Sequence, residues 1–505
     1  MPLKDFTLDR EFKISALFFL DPYNINENIF GDLFYTKDQI YIVLSSTVDS
    51  SSEIFTMYGF SDSGRLLVLN DCFVNHNRTP SAGFSRDRVI VNSFYILEST
   101  SIPLIDDEKI TEKILNQFNL TQDDPLIADL KFNFECLNDL HNETLFKFNY
   151  EENENEDKEM LIVDDFNKIV NESYIENIKL NIKEKVLASL NYKKHDYHWS
   201  ENFNFILSFE KNNMKFSEYM KYAKDIKNIY SYIAGRNLNF NDIQFTIKFE
   251  DMFQFEKEQI NEESLLNFLN KKPQVIGKYF CLQNKGTKSL PLFIKRESSK
   301  IIHNFNDIIT NWFKKRDQLI FIIESEVTDK GIPTLLESRL LNKIRNLEVF
   351  YRNFFREEQE DLQEYNDIKT EILTFIDKNI KNNEYKDSFK DKVNYKGEVS
   401  LRYKLVTLFK RLPQELAEII LKMEGKSLSG SRNKMAFSLK ETRNYWTHGD
   451  TLDDYPKRLK GYDEIYPIYK KLIIIEKYFV LLELGVSEDL IINYLLTLYQ
   501  KYANF

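Results

Sequence analysis

Cysteine is scarce in this 505-residue chain: Cys72, Cys136 and Cys281 stand far apart and form no CxxC pair. That spacing speaks against a disulfide framework or a zinc site and suits a reducing compartment. Glycine and proline are also few, 14 and 11, which excludes a collagen-like or long flexible region. Long apolar runs are missing too. The most apolar C-terminal stretch, Leu472–Leu484, is interrupted by Glu476, Lys477 and Glu483 and is too short to cross a bilayer. The first residues, Met1-Pro2-Leu3-Lys4-Asp5-Phe6, lack the basic start and apolar run of a signal peptide. The expectation is a soluble cytoplasmic protein with no membrane partner.

What the chain has in quantity is core material, with 42% hydrophobic and 14% aromatic residues, and its length suits two to four domains. Its net charge of −11 is unevenly spread. Residues 331–505 hold 29 basic and 27 acidic side chains, against 39 and 52 in residues 1–330. The acidic excess therefore sits away from the C-terminal part, which is free to meet a polyanion.

The fold class expected is α+β and multidomain. Residues 1–130 read as a β-rich domain, 131–325 as a mixed α/β region and 326–505 as an all-α helical bundle. Short β-branched and aromatic runs at Ile14–Leu20, Gln39–Leu44, Ile54–Tyr58, Leu66–Leu69 and Val89–Leu97 predict strands. Ser61-Asp62-Ser63-Gly64 is a hairpin turn signal. Leu145–Tyr150 and Glu159–Val163 flank the acidic run from Glu151 to Glu159, read as a hairpin with a solvated loop. Phe203–Phe209 predicts a strand, Lys215–Ile233 a helix stopped by Gly235, and Ile243–Phe249 a further strand.

From Asn304 the apolar spacing turns helical. Helices are predicted around Phe305–Phe313 and Leu319–Ile323, and over Thr334–Arg356, Tyr365–Lys381, Ser400–Arg411, Asn433–Thr447, Ile465–Leu484 and Glu488–Tyr502. One more opens at Pro413 and closes at Gly425. Ser427–Ser431 reads as a flexible turn. The apolar surplus of Ile473–Ile475 and Tyr478–Leu482 predicts a face toward a second subunit or the N-terminal region.

Histidine, the side chain whose ordinary pKa lies nearest neutral pH, occurs six times. His76 reads as a loop histidine. His195 and His198, in His195-Asp196-Tyr197-His198-Trp199, have no third ligand beside them, so a polar loop anchored by Trp199 is preferred to a metal pair. No metal or cofactor is expected.

The remaining stretch carries chemistry: Glu441-Thr442-Arg443-Asn444-Tyr445-Trp446-Thr447-His448-Gly449-Asp450, with His448 the only histidine after His303. RNA brings its own nucleophile, the ribose 2′-hydroxyl. Cleavage then needs a proton acceptor, a proton donor and a charge to steady the phosphorane, and no metal. Histidine serves the proton steps because its ordinary pKa is about 6.5. Arginine serves the phosphate because its charged planar fork binds oxygens in pairs. On a helix, residues five apart point about 140° away from each other. Either the helix ends at Gly449 with Arg443 reaching across to His448, or a second copy of the chain completes the site, and both can hold together. The plain alternative is a cation and a capping imidazole at the negative end of a helix dipole. Six basic residues (Lys422, Lys426, Arg432, Lys434, Lys440 and Arg443) face two acidic ones in 422–443, which makes Arg432, Lys434 and Lys440 candidate RNA-binding residues. Glu348, beside the stripe of its helix, is a candidate partner for an arginine of the site, or else for Arg345 or Arg352.

Arg443-Asn444-Tyr445-Trp446-Thr447-His448 resembles the motif of the HEPN superfamily, with Asn444 in its polar slot. Leu336–Leu341 and Leu347–Arg352 resemble the first HEPN helix of the ApeA family of anti-phage proteins. Tyr58-Gly59-Phe60-Ser61 and Leu67–Phe73 resemble that family's N-terminal domain. The resemblance implies an abortive-infection protein. An N-terminal sensor answers a phage-encoded trigger, and a HEPN effector, a homodimer or higher homo-oligomer, cuts RNA, tRNA among the candidates. Arg443 would hold the scissile phosphate, His448 would move protons and Asn444 would orient one of them. The alternatives are a non-catalytic RNA-binding or phage-sensing protein that uses the bundle to dimerise, and a purely structural oligomerisation module.

Overall fold

The early alternating runs become strands because every second side chain is apolar: β1 (Phe12–Phe19) buries Ile14, Ala16 and Phe18 on one face. The computed structural model describes residues 2–21, 24, 27–48, 52–75, 87–99, 124–141, 146–153, 156–163, 166–193, 196–211, 214–248, 274–283, 289–355, 362–394, 399–449 and 454–502. The chain divides into two compact units, Met1–Thr310 and Asn311–Phe505.

The first unit continues with β2 (Ile29–Tyr35), β3 (Ile40–Leu44), β4 (Phe55–Ser61), β5 (Leu66–Asn75), β6 (Arg88–Ile90) and β7 (Ser93–Ser99). Pairing runs β5-β4-β1-β2-β3-β6, and β6 pairs again with β5, so six strands close on themselves. Closure removes two exposed edges. Phe18 of β1 is buried and packs over a glycine on each neighbouring strand. A Cβ on Gly59 would stand 2.8 Å from the Phe18 ring and one on Gly31 3.3 Å from it. β5 bends at Asp71, whose φ of 51° falls in the left-handed region, so its first half pairs with β7 and its second with β6. The single strand expected over Val89–Leu97 is therefore broken between β6 and β7, where Asn92 donates to Asp71 Oδ2 at 3.0 Å.

From β7 the sheet runs on through β17 (Gln274–Cys281), β16 (Phe240–Lys248), β9 (Asp129–Phe134), β14 (Asp196–Phe209), β13 (Leu180–Lys193) and β12 (Asn167–Ile175), thirteen strands among the described residues. The boundary expected at residue 130 falls inside β9, which is paired on both sides. Local patterns do not reveal that strands from both stretches share one ladder. β8 (Leu126–Ile127) pairs with β15 (Met214–Lys215), and β10 (Phe146–Asn153) with β11 (Glu156–Val163). The acidic run read as a loop is mostly strand, because Glu151↔Lys158 and Tyr150↔Glu159 stay in register. Asp196 to Trp199 belong to β14 and not to a loop, with His198 paired in register with Asn191. His76 and His195 lie outside the described residues. Helix α1 (Phe216–Ala234) covers the sheet near β9, and Tyr230 meets Phe134 and Phe205 edge-on. It ends at Gly235, whose φ of 66° suits a residue without a Cβ. α2 (Leu292–Ile302) packs on α1.

The second unit is helical. Its elements are α3 (Phe305–Gly331), which begins in the first unit, α4 (Leu336–Phe354), α5 (Leu362–Asn379), α6 (Asn383–Asn394), α7 (Leu401–Arg411), α8 (Gln414–Leu421), α9 (Leu428–His448), α10 (Gly461–Glu483) and α11 (Glu488–Tyr502). α4 packs against α10, α7 and α9. α8 stops at Leu421, before Met423 and Gly425, because Lys422 turns extended. Met423 N–H then donates to Ser431 of α9 at 3.0 Å. The surplus on α10 does not face outward: Leu472 to Leu481 are all buried within the chain, and only Leu482 of that run is exposed, at 39%. A helix apolar all round is one surrounded by others.

Charge is buried there as well. Lys343 of α4 pairs with Glu326 of α3 and donates to Glu476 of α10 at 2.8 Å, and Asn346 donates to the second oxygen of Glu476 at 2.9 Å. Burial pushes Glu326 up, but Lys343 and Lys330 more than reverse it and hold the carboxyl below its ordinary value. Burial leaves Glu476 above its ordinary value in spite of Lys343. Lys343→Met removes the cation that two buried carboxylates share, and a loss of about 3–5 kcal/mol is expected. Urea unfolding followed by circular dichroism at the helix band measures it; a change under about 1 kcal/mol contradicts the reading.

Candidate functional site

α9 carries the Arg-x4-His motif, and local chemistry sets both its ends. Ser427 caps the start by accepting the Gly430 N–H at 3.1 Å. The Ser/Gly stretch expected to be a flexible turn is thus the cap and first turn of the helix. Gly449 ends it with φ of 67°, and its N–H donates to Tyr445 O at 3.0 Å. Ser431, Met435, Ala436, Leu439 and Thr442 form the buried stripe.

Arg443 and Asn444 lie half-buried beside that stripe, and His448 is exposed in the last turn. At about 100° per residue, Asn444 sits roughly 40° from His448 and roughly 100° from Arg443. Arg443 Nη1 donates to Asn444 Oδ1 at 3.2 Å. The guanidinium is drawn over the helix surface toward the side that His448 occupies, which shortens the 140° separation that the spacing alone would leave. Thr447 Oγ1 donates to Arg443 O at 2.7 Å.

The other candidates are spread along the helix. Lys440 lies about 4.5 Å before Arg443 along the axis and half-buried, while Lys434 and Arg432 lie about 13 and 16 Å away. Lys434 is exposed and points to the opposite side from Arg443. Arg432 is half-buried, with an Nε that is buried and has no hydrogen-bond partner. Those two can touch only phosphates well removed from one held by Arg443. Glu348 pairs with none of the arginines proposed for it. It accepts from Lys404 of α7 at 2.9 Å, a lysine whose side chain is almost fully buried, and so fixes α4 to α7.

A feature that the sequence reading missed lies past the acidic loop, of which residues 450–453 are outside the described residues. The chain returns along α9 from Asp454 to Lys460. Lys457 N–H donates to Glu441 Oε2 at 2.6 Å and Leu459 N–H to Thr442 Oγ1 at 2.8 Å. Arg458 places its guanidinium over the Tyr445 ring, 4.8 Å from the centroid, and donates to Tyr455 O at 3.3 Å. The signal was the basic run Lys457-Arg458-Leu459-Lys460, separated from the acidic residues only by Tyr455 and Pro456. Among the described residues no three His, Cys, Asp or Glu side chains are grouped as metal ligands.

Two family models match the chain: ApeA N-terminal domain 1 over residues 13–312 and Apea-like HEPN over residues 341–490. The second spans α9 whole. No curated protein and no solved structure matches.

Glu441 holds the returning segment through a charge-assisted bond to Lys457 N–H. In Glu441→Ala the Lys457 amide should exchange with solvent about tenfold faster or more. Hydrogen exchange resolved to single amides checks this, and an unchanged rate contradicts it.

Proposed function

The chain belongs to the ApeA family and carries that family's HEPN domain, and from this premise we propose that it is a metal-independent endoribonuclease. The two domains support a role in anti-phage defence. The observation that best supports cleavage is the Arg443–Asn444 hydrogen bond beside an exposed His448 at the end of α9. His448 takes the proton from the ribose 2′-hydroxyl, or gives one to the departing 5′-oxygen. The 2′-oxygen attacks phosphorus as the P–O5′ bond breaks, leaving a 2′,3′-cyclic phosphate and a 5′-hydroxyl. Arg443 binds the non-bridging oxygens as charge gathers on them, and Asn444 keeps its fork in place. One histidine cannot be base and acid in a single concerted step. Two chains paired through their bundles would supply two, one in each role, and RNA, tRNA among the candidates, would lie across both motifs. The N-terminal unit would be the part that answers a phage-encoded trigger.

Purified protein should cut RNA in the presence of EDTA. His448→Ala should lose about 10² to 10⁴ in rate, and Arg443→Ala about 10² to 10³, with helix content unchanged by circular dichroism. Equal cleavage by wild type and His448→Ala overturns the proposal. Binding without new RNA ends in wild type favours a binding protein instead.

A further inference from the structure

Arg458 stands outside the Arg-x4-His motif, yet its position is tied to the motif's helix at three points. The backbone on both of its sides is pinned to α9, Lys457 N–H to Glu441 at 2.6 Å and Leu459 N–H to Thr442 at 2.8 Å. Its guanidinium lies 4.8 Å over the Tyr445 ring, and Tyr455 meets that ring edge-on at 6.3 Å. An arginine on a long flexible stem ordinarily loses rotamer freedom when it grips an anion, and one already stacked has less to lose.

The stack also sets where the charge is. At about 100° per residue, Glu441, Tyr445 and His448 share a sector of α9 about 60° wide. Arg458 therefore covers the residue one turn before His448, on the same stripe. Asn444, which carries the Arg443 fork, lies on the other flank of His448. On the helix circumference a guanidinium is thus anchored to each side of His448, one at Asn444 and one at Tyr445. Two cations set on either side of a proton-transfer group match a strand that presents consecutive phosphates. A single phosphodiester has no use for the second.

We propose that Arg458, stacked on Tyr445, binds the phosphate adjacent to the scissile one, so that the site selects an RNA strand with at least two consecutive phosphates. Tyr445 is then a positioning residue, acting through Arg458. This inference rests on the ribonuclease reading above, and the substrates are chosen to separate the two.

The test compares kcat/KM on a dinucleoside monophosphate, which has only the scissile phosphate, with that on a trinucleotide carrying one flanking phosphate. Wild type should prefer the trinucleotide by about tenfold or more, the value of one charge-assisted contact. Arg458→Ala should erase that preference through KM, and Arg458→Lys, which keeps charge without the planar stack, should restore part of it. A trinucleotide preference that survives in Arg458→Ala overturns the proposal. So does an equal loss on both substrates, which would mark Arg458 as merely holding the loop. Independently of cleavage, a 2′-O-methyl trinucleotide lacks the nucleophile and reports binding alone. The slope of its log affinity against log salt should fall by about 0.7 in Arg458→Ala. An unchanged slope overturns the contact even where wild type cuts RNA, whereas absent cleavage with a reduced slope overturns the ribonuclease reading and leaves the contact standing.

Discussion

The helical unit depends on one buried cation. Lys343 stands between Glu326 and Glu476 with its side chain fully out of solvent, so α3, α4 and α10 share a charged cluster inside their apolar packing. Such an arrangement adds little net stability over an apolar one, but removing one partner strands a buried charge. Asn346, one turn along α4 from Lys343, takes up the remaining oxygen of Glu476. A second ion pair on the same helix, Glu348 with Lys404, carries the arrangement on to α7, which packs on α9. The motif helix is thereby referred to a fixed frame through contacts whose geometry is specified by charge.

At the end of that frame α9 faces an angular problem. Five residues on a helix set two side chains about 140° apart, too wide for one phosphate if each side chain projects straight outward. Asn444 narrows the angle by accepting from Arg443, and the returning segment at 454–460 places further positive charge on the flank that Arg443 does not reach. Met435, Ala436 and Leu439 occupy the buried stripe of the helix, and Arg443 leaves the helix from the same sector one to two turns further on, where it is half-buried. Every candidate near the motif is half-buried or exposed.

Much of the architecture was legible in the chain. Apolar residues at helical spacing marked α4 and α11 to within a few residues, because a helix repeats its buried face every turn. Strand runs near the N-terminus were legible for the matching reason of period two. β2, β9, β12, β13 and β17 were not recognised, since their polar, charged and glycine residues dilute the alternation, and nothing local told that β6 returns to β5. Glu348 shows the limit for side chains: its helix neighbours Arg345 and Arg352 were the only partners that spacing could suggest, and its partner Lys404 is fifty-six residues away.

By itself the amino-acid order determined where the motif helix stops. Gly449 alone among its neighbours accepts a φ of 67° without a Cβ clash, and Ser427 offers the oxygen that an opening turn lacks. It also determined that an arginine, an amide and a histidine would share that helix's last turns. Only the tertiary structure decided that the barrel closes, that the surplus on α10 is surrounded, and that Arg458 comes to rest on Tyr445. Caps and periodicity act through atoms a few residues apart, whereas these outcomes depend on which distant surfaces can exclude water and satisfy each other's polar groups at the same time.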